Sequence, residues 1–184
     1  MEIFKKVTES HVTISELMLP SHTNFGGKIH GGYILSLMDQ IAFACASKHS
    51  SNYCVTAAVD TVNFLKPIEI GELVTMKASV NYVGNTSMII GIRVEAENIH
   101  TGEKKHCNSS YFTMVAKNDS GKSVHVPGLI LDTKTDIRRF VKSIRRLQMK
   151  KNRSIEFEET DFVSKKYIEE LKEYNVQINF NPPT

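Results

Sequence analysis

The sequence predicts an α+β fold, an antiparallel sheet wrapped around one long helix, and three observations carry that prediction. Residues 33–48 form a stretch that is apolar nearly all round, and its Ala, Leu and Met content favours a helix. Four β-like stretches, 54–65, 73–83, 87–98 and 104–116, follow it across short turn-like joints. The chain has 184 residues, 41% of them hydrophobic and 23% charged, which suits one compact domain and argues against global disorder.

The first element in chain order is a strand at 11–19, where Val12, Thr13 and Ile14 are β-branched, the pattern alternates and Pro20 ends it. A loop rich in Asn and Gly follows, and Gly31 and Gly32 open the helix. Ile34, Leu35, Leu37, Met38, Ile41, Ala42, Phe43, Ala44, Cys45 and Ala46 leave that helix no polar face, so it is expected to be buried. The joints between the four long strands hold turn chemistry: Pro67 to Gly71, then Gly84 with Asn85 and Thr86, then Thr101 with Gly102. Val126, Pro127 and Gly128 mark the expected boundary between a domain at 1–129 and a C-terminal helical extension at 130–184. Two amphipathic helices are expected in the extension. Ile137, Phe140, Val141, Ile144 and Leu147 follow helical spacing, and Val163, Tyr167, Ile168, Leu171 and Tyr174 repeat it.

Charge divides the chain in the same way. Residues 1–129 carry 11 basic and 11 acidic side chains, so the formal net charge of +3 comes from 130–184, with 12 basic and 9 acidic. Within the extension, 134–153 holds nine basic residues against Asp136 alone, and 154–184 holds three basic against seven acidic. A basic amphipathic helix suits nucleic acid, an anionic membrane surface or phosphate. The better-supported expectation is a helix that packs its apolar face and leaves its arginines in water, so no nucleic-acid partner is expected. No run of 18 uncharged apolar residues appears, so no membrane insertion is expected, and the N-terminus lacks a secretory pattern. Three cysteines, Cys45, Cys54 and Cys107, with no C-x-x-C pair, argue against a disulfide framework and fit a reducing cytoplasm. The seven histidines show no ligand spacing, so no metal site is expected.

One residue does not belong in its surroundings. Asp39 stands in the middle of the apolar helix, between Met38 and Gln40. A carboxylate buried without partners costs several kcal/mol. It therefore marks either a general base or nucleophile in a water-poor cleft, or a cap on a subunit interface. Gly31 and Gly32 offer backbone N–H groups at a helix N-terminus with no Cβ in the way, which makes either an oxyanion hole or a plain tight turn. Asp39 lies two turns further along, about 10–12 Å at 1.5 Å per residue. A site that uses both is therefore expected across a dimer interface, with the loop from one chain and Asp39 from the other.

The segments NFGGKIHGGYILSLMDQIAFACA, VTAAVDTVNFLKPIEIGELV and YVGNTSMIIGIRVEAEN resemble the hotdog-fold acyl-CoA thioesterases, in the branch that holds bacterial YciA and the brain acyl-CoA hydrolases. The resemblance spans residues 13–115. It implies a single hotdog domain, a long central helix wrapped by an antiparallel sheet, pairing into homodimers that commonly assemble as a trimer of dimers. By position it implies that Asp39 is the catalytic carboxylate, that Asn24 is its partner from the facing subunit, and that the Gly31 and Gly32 backbone polarises the thioester carbonyl. His30 is a further candidate donor. The turn of Gly84, Asn85, Thr86 and Ser87 resembles the segment beside the pantetheine arm, and the same four residues also make a generic hairpin turn. Lys66 matches a position often basic in the family; Arg93, Lys104 and Lys105 are further candidates for the phosphates. Coenzyme A enters as part of substrate and product, and no other cofactor is implied. Hydrolysis of acyl-CoA to free acid and coenzyme A leads. A hotdog hydratase or dehydratase, which looks to a His that this helix lacks, and a non-enzymatic acyl-CoA sensor stand as alternatives.

Overall fold

The structure, a computed structural model, describes residues 3–160 and 162–177. The elements run β1 (Phe4–Lys6), β2 (Val12–Leu17), α1 (Gly31–Ser50), β3 (Tyr53–Val59), β4 (Glu72–Val83), β5 (Ser87–Asn98), β6 (Lys104–Lys117), β7 (Gly128–Ile130), α2 (Lys134–Glu159) and α3 (Lys165–Glu170). Five strands form an antiparallel sheet in the order β2-β4-β5-β6-β3, and α1 packs on its inner face. This is the α+β arrangement expected of the sequence.

Alternation explains the packing. On the inner face Val74, Met76, Ala78 and Val80 of β4, Ile90, Ile92 and Val94 of β5, and Phe112, Met114 and Ala116 of β6 are buried. They meet Ile34, Leu37, Met38, Ile41, Ala42, Cys45 and Ala46 of α1 in one core cluster. Each large side chain moved fully out of water contributes about 1.5–3 kcal/mol, so the α1–sheet layer is the main source of stability. At the end of α1 the buried His49 donates through Nε2 to Pro127 O at 2.9 Å, and burial lowers its pKa.

Four expectations change. First, α1 is not buried all round: Gly32, Ser36, Asp39, Gln40 and Phe43 are exposed in the single chain. At helical spacing they form one stripe on the side away from the sheet. Second, the strand expected at 54–65 ends at Val59, after a register shift between Thr56 and Ala58. Residues 60–65 continue beside β6 without a regular ladder, held by Asp60 N to Tyr111 O and Leu65 N to Cys107 O, both 2.9 Å. Third, short β1 and β7 pair in parallel, a non-local contact that three-residue strands do not announce in sequence. Fourth, α2 buries Asp136 and Ser143 and half-buries Phe140, while Ile137 and Val141 remain exposed. The side it buries is therefore rotated from the apolar stripe.

Outer-face chemistry explains that rotation. Ser79 and Asn81 of β4 are buried there, with Ser79 Oγ donating to Asn81 Oδ1 at 3.0 Å, and Arg139 Nη1 reaching Ser79 Oγ at 3.5 Å. Tyr82 and Phe140 pack with ring centroids 5.1 Å apart. Gly91 leaves room for the Asn81 amide, since a Cβ there would lie 2.1 Å from Asn81 Nδ2. A reciprocal capping box starts α2. Thr133 N donates to Asp136 Oδ2 at 3.0 Å, and Asp136 N donates to Thr133 Oγ1 at 3.1 Å.

The chain parts into two compact units, Met1–Ile144 and Arg145–Thr184. The Val126–Gly128 turn lies inside the first, where Gly128 already belongs to β7. In the second unit Phe157, Phe162 and Tyr167 pack in series at centroid distances of 5.3 and 5.4 Å. Arg153 lies over Phe157 and Lys166 over Tyr167. No helix of the described residues is long and apolar enough to cross a membrane.

Candidate active site

The helix N-terminus is built first. His22 O accepts from His30 N at 2.8 Å, and the His22 ring stacks on Tyr33 at a centroid distance of 4.0 Å. The Tyr33 hydroxyl donates to Glu16 of β2 in a short hydrogen bond, which raises the Tyr33 pKa. Loop 20–30 is thereby tied to the first turn of α1. His30 is the N-cap, and its Nδ1 accepts the Gly32 N–H at 2.9 Å. That bond places the His30 proton on Nε2 in the neutral ring, so Nε2–H is left as a donor. It also revises the expected pair of oxyanion donors. Gly32 N–H is taken, and Gly31 N–H, which meets no acceptor within the described residues, is the open one.

Asn24 sits in the same loop with its amide half committed. Its Oδ1 accepts from Gly26 N at 2.9 Å and Lys28 N at 3.2 Å, an Asx-type turn. Among the described residues the Nδ2 group meets no acceptor, so this side chain offers a donor outward.

Asp39 does not sit buried in apolar surroundings within the single chain, as its neighbours in sequence suggest. It lies on the exposed stripe, in the middle of a 20-residue helix. Its Oδ1 accepts a 2.6 Å hydrogen bond from Thr56 Oγ1 of β3, and no ion pair among the described residues includes it. Thr56 was not anticipated. A threonine in a strand is an ordinary strand former, and only the approach of β3 to the middle of α1 gives it this role.

The remaining candidates separate. Turn 84–87 is a tight hairpin, with Gly84 N donating to Ser87 O at 2.8 Å. Its acceptors are used within the chain: Asn85 O by Val126 N, Thr86 O by Ala116 N, and Asn85 Oδ1 by the His125 ring at 2.7 Å. Ser87 pairs with Val115, and Tyr53, three residues after the end of α1, pairs with Lys117. The turn therefore stands at the end of the sheet where α1 finishes. Gly31 stands at the other end, where Ile29 N donates to Ile68 O just before β4. Arg93 points to the outer face of the sheet and donates through Nε to Glu95 at 2.9 Å; hydrogen bonds from Lys77 and Arg93 lower the Glu95 pKa. Lys104 pairs with Glu97 and Lys105 with Glu72, and Lys66 has no ion-pair partner among the described residues.

Other nucleophiles are poorly placed. The Cys45 thiol is buried, donates to Ser10 O, and burial pushes its pKa up to about 12. Burial also raises the Cys107 thiol. A thiol kept protonated in the core is inert as a nucleophile. Among the described residues no group of three His, Cys, Asp or Glu side chains is placed to hold a metal.

A wrapped central helix, with an exposed carboxylate at mid-helix and an open N–H at its start, defines a hotdog-type thioesterase domain. The sequence profile of the Thioesterase superfamily matches residues 26–103, and the chain belongs to that family. It is 42% identical over 137 residues to Protein VdlD of Helicobacter pylori, across 74% of this chain and 78% of that one. A hexameric acyl-CoA thioesterase, solved in its apo form, superposes with a TM-score of 0.80 at 34% identity, covering 83% of this chain and 97% of its own. An acyl-CoA hydrolase of Staphylococcus aureus, solved with butyryl coenzyme A, coenzyme A and coenzyme A disulfide, superposes with a TM-score of 0.77 at 31% identity, over 92% and 99% of the two chains. That enzyme has also been solved with an asparagine, an aspartate or a threonine replaced by alanine. The asparagine and aspartate lie 15 residues apart, the aspartate and threonine 17.

Proposed function

We propose that this chain hydrolyses acyl-CoA thioesters to the free acid and coenzyme A, at a site shared by two copies of a hotdog domain at residues 1–129. Asp39, oriented by Thr56, comes from one copy. Gly31 N–H, His30 Nε2–H and the Asn24 amide come from the other. The observation that carries this reading is the position of Asp39 at the centre of the one exposed stripe of α1. From there it is two helical turns from its own chain's open N–H, so a facing copy has to bring the second half. The spacings of the replaced residues in the S. aureus hydrolase support it, since Asn24, Asp39 and Thr56 are likewise 15 and 17 residues apart.

The chemistry follows from the donors and acceptors. The Thr56 hydroxyl takes one lobe of the Asp39 carboxylate and leaves the other oxygen to accept a proton from water. Gly31 N–H sits at the positive end of a 20-residue helix, where charge developing on a carbonyl oxygen is stabilised. The Asn24 Nδ2 group, being a donor only, holds the carbonyl or the water by its oxygen. The thiolate of coenzyme A then leaves. Asp39 can also attack directly, and trapping with hydroxylamine separates an acyl-enzyme from the water route. Covering the stripe with a second copy excludes bulk water and strengthens each of these interactions.

Lys66 is proposed for the phosphates, being the candidate cation without an ion-pair partner. The turn of Gly84, Asn85, Thr86 and Ser87 is proposed for the pantetheine arm. Residues 130–184 are proposed as a helical extension without a catalytic group. The working assembly is a homodimer within a trimer of dimers, in the cytoplasm, with no cofactor beyond the coenzyme A carried by the substrate. Asp39→Asn is expected to lower kcat by about 10²–10⁴-fold, the worth of a positioned base, in a chain with an unchanged thermal midpoint. Full turnover in that variant on short, medium and long acyl-CoAs would remove Asp39 from the reaction.

A further inference from the structure

The open N–H at Gly31 has a neighbour that the proposed chemistry does not use. A Cβ built at Gly31 would lie 3.1 Å from Phe64 Cζ and 3.5 Å from both Cε atoms, so the ring meets the first residue of α1 with its tip. A side chain there would crowd the ring, which would have to give by a few tenths of an ångström. Phe64 is not an ordinary core residue, for it remains 51% exposed. The backbone that carries it is held on β6 by the bonds of Asp60 and Leu65 on either side, which sets the ring beside Gly31. A large ring is thus pinned at the mouth of the helix N-terminus, with one edge against Gly31 and the rest open.

We propose that Phe64 is the wall of the thioester pocket and sets which acyl groups enter it. An oxygen that accepts from Gly31 N–H lies about 3 Å from that nitrogen, and the ring covers the adjoining side of the same residue. The hydrocarbon edge keeps water from competing for the N–H. It also stands where substituents on the carbon next to the carbonyl project. Straight-chain acyl groups pass the ring, and groups branched at that carbon collide with it. The assignment rests on the hydrolase reading above, and names a specificity determinant of the same site.

Two measurements test it. The first compares butyryl-CoA with its branched isomer, isobutyryl-CoA, on the full-length wild type, Phe64→Ala and Phe64→Leu. Wild type is expected to favour the straight chain. Phe64→Ala should shift the ratio of the two kcat/KM values toward the branched substrate by about 10-fold or more, the usual worth of a small apolar group against a pocket wall. In the same variant kcat for butyryl-CoA should fall, and Phe64→Leu should keep most of the wild-type ratio. The second measurement needs no turnover: Gly31→Ala should lower Tm in the wild-type background and much less in the Phe64→Ala background, because the collision is gone. A ratio unchanged within twofold in folded Phe64→Ala would overturn the wall while leaving the hydrolase reading intact. If Phe64→Ala fails to fold, a Gly31→Ala penalty under 1 °C in the wild-type background would overturn it. A wild type that cleaves no acyl-CoA would bring down the reading itself, and this assignment with it.

Discussion

Helices α1 and α2 have comparable lengths, 20 and 26 residues, and opposite chemistry. Asp39 and Lys48 are the only Asp, Glu, Lys or Arg side chains in α1, while α2 carries thirteen. On α2 most charges are solvated, cost nothing and say nothing: Arg138 and Lys142 stand in water beside Ile137 and Val141. On α1 nine of twenty positions are buried and nearly all the rest are uncharged, so the single carboxylate on its exposed stripe stands out. The same holds for apolar exposure. Phe43 on the α1 stripe is 40% exposed on a helix that otherwise packs, which marks a face to be covered. Exposed Ile137 among arginines marks no such face. A side chain is informative in proportion to how strongly its surroundings constrain it.

Substitutions can break or sharpen this contrast. Met38→Ala, in the fully buried row of α1, is expected to cost about 2–5 kcal/mol through lost burial and a residual cavity, read from the denaturation midpoint. A loss below 1 kcal/mol would mean that α1 is not the packed element it seems beside α2. Thr56→Ala removes one charge-assisted hydrogen bond to Asp39 and should lower kcat by about 10-fold or more, with little change in Tm. Unaltered kcat there would show that the carboxylate needs no orienting partner. The smallest effect is expected from Ile137→Ser on α2, within about 0.5 kcal/mol of wild type. A larger destabilisation, measured in the same denaturant series, would show that the apolar stripe of α2 is covered as well.

The helix and its five partner strands are legible because local pattern and burial agree. Val74, Met76, Ala78 and Val80 alternate in sequence as they alternate in the sheet, and the α1 residues recur at the spacing of the face they bury. Asp39 is legible by contradiction with its neighbours. Thr56 is not, because a strand threonine violates no local rule. The donor at the helix start is half legible: two glycines announce open N–H groups, but the His30 imidazole takes one of them, and only the rotamer of the N-cap shows which. The rotation of α2 is illegible for a related reason. Its hydrophobic stripe predicts burial of Ile137 and Val141, while the sheet presents Ser79, Asn81 and Tyr82, to which Arg139 and Phe140 are the better match.

By itself the sequence determined where the long helices and long strands would lie, which inner-face residues of the sheet would fill the core, and that one carboxylate was out of place. Those are matters of periodicity and of the cost of burying charge, and both act locally. Tertiary structure decided which oxygen of that carboxylate is already bound, which of two backbone N–H groups stays open, and which ring stands beside it. Each depends on segments far apart in sequence meeting within about 3 Å, at hydrogen-bond and van der Waals range, and no local pattern encodes a distance of that kind.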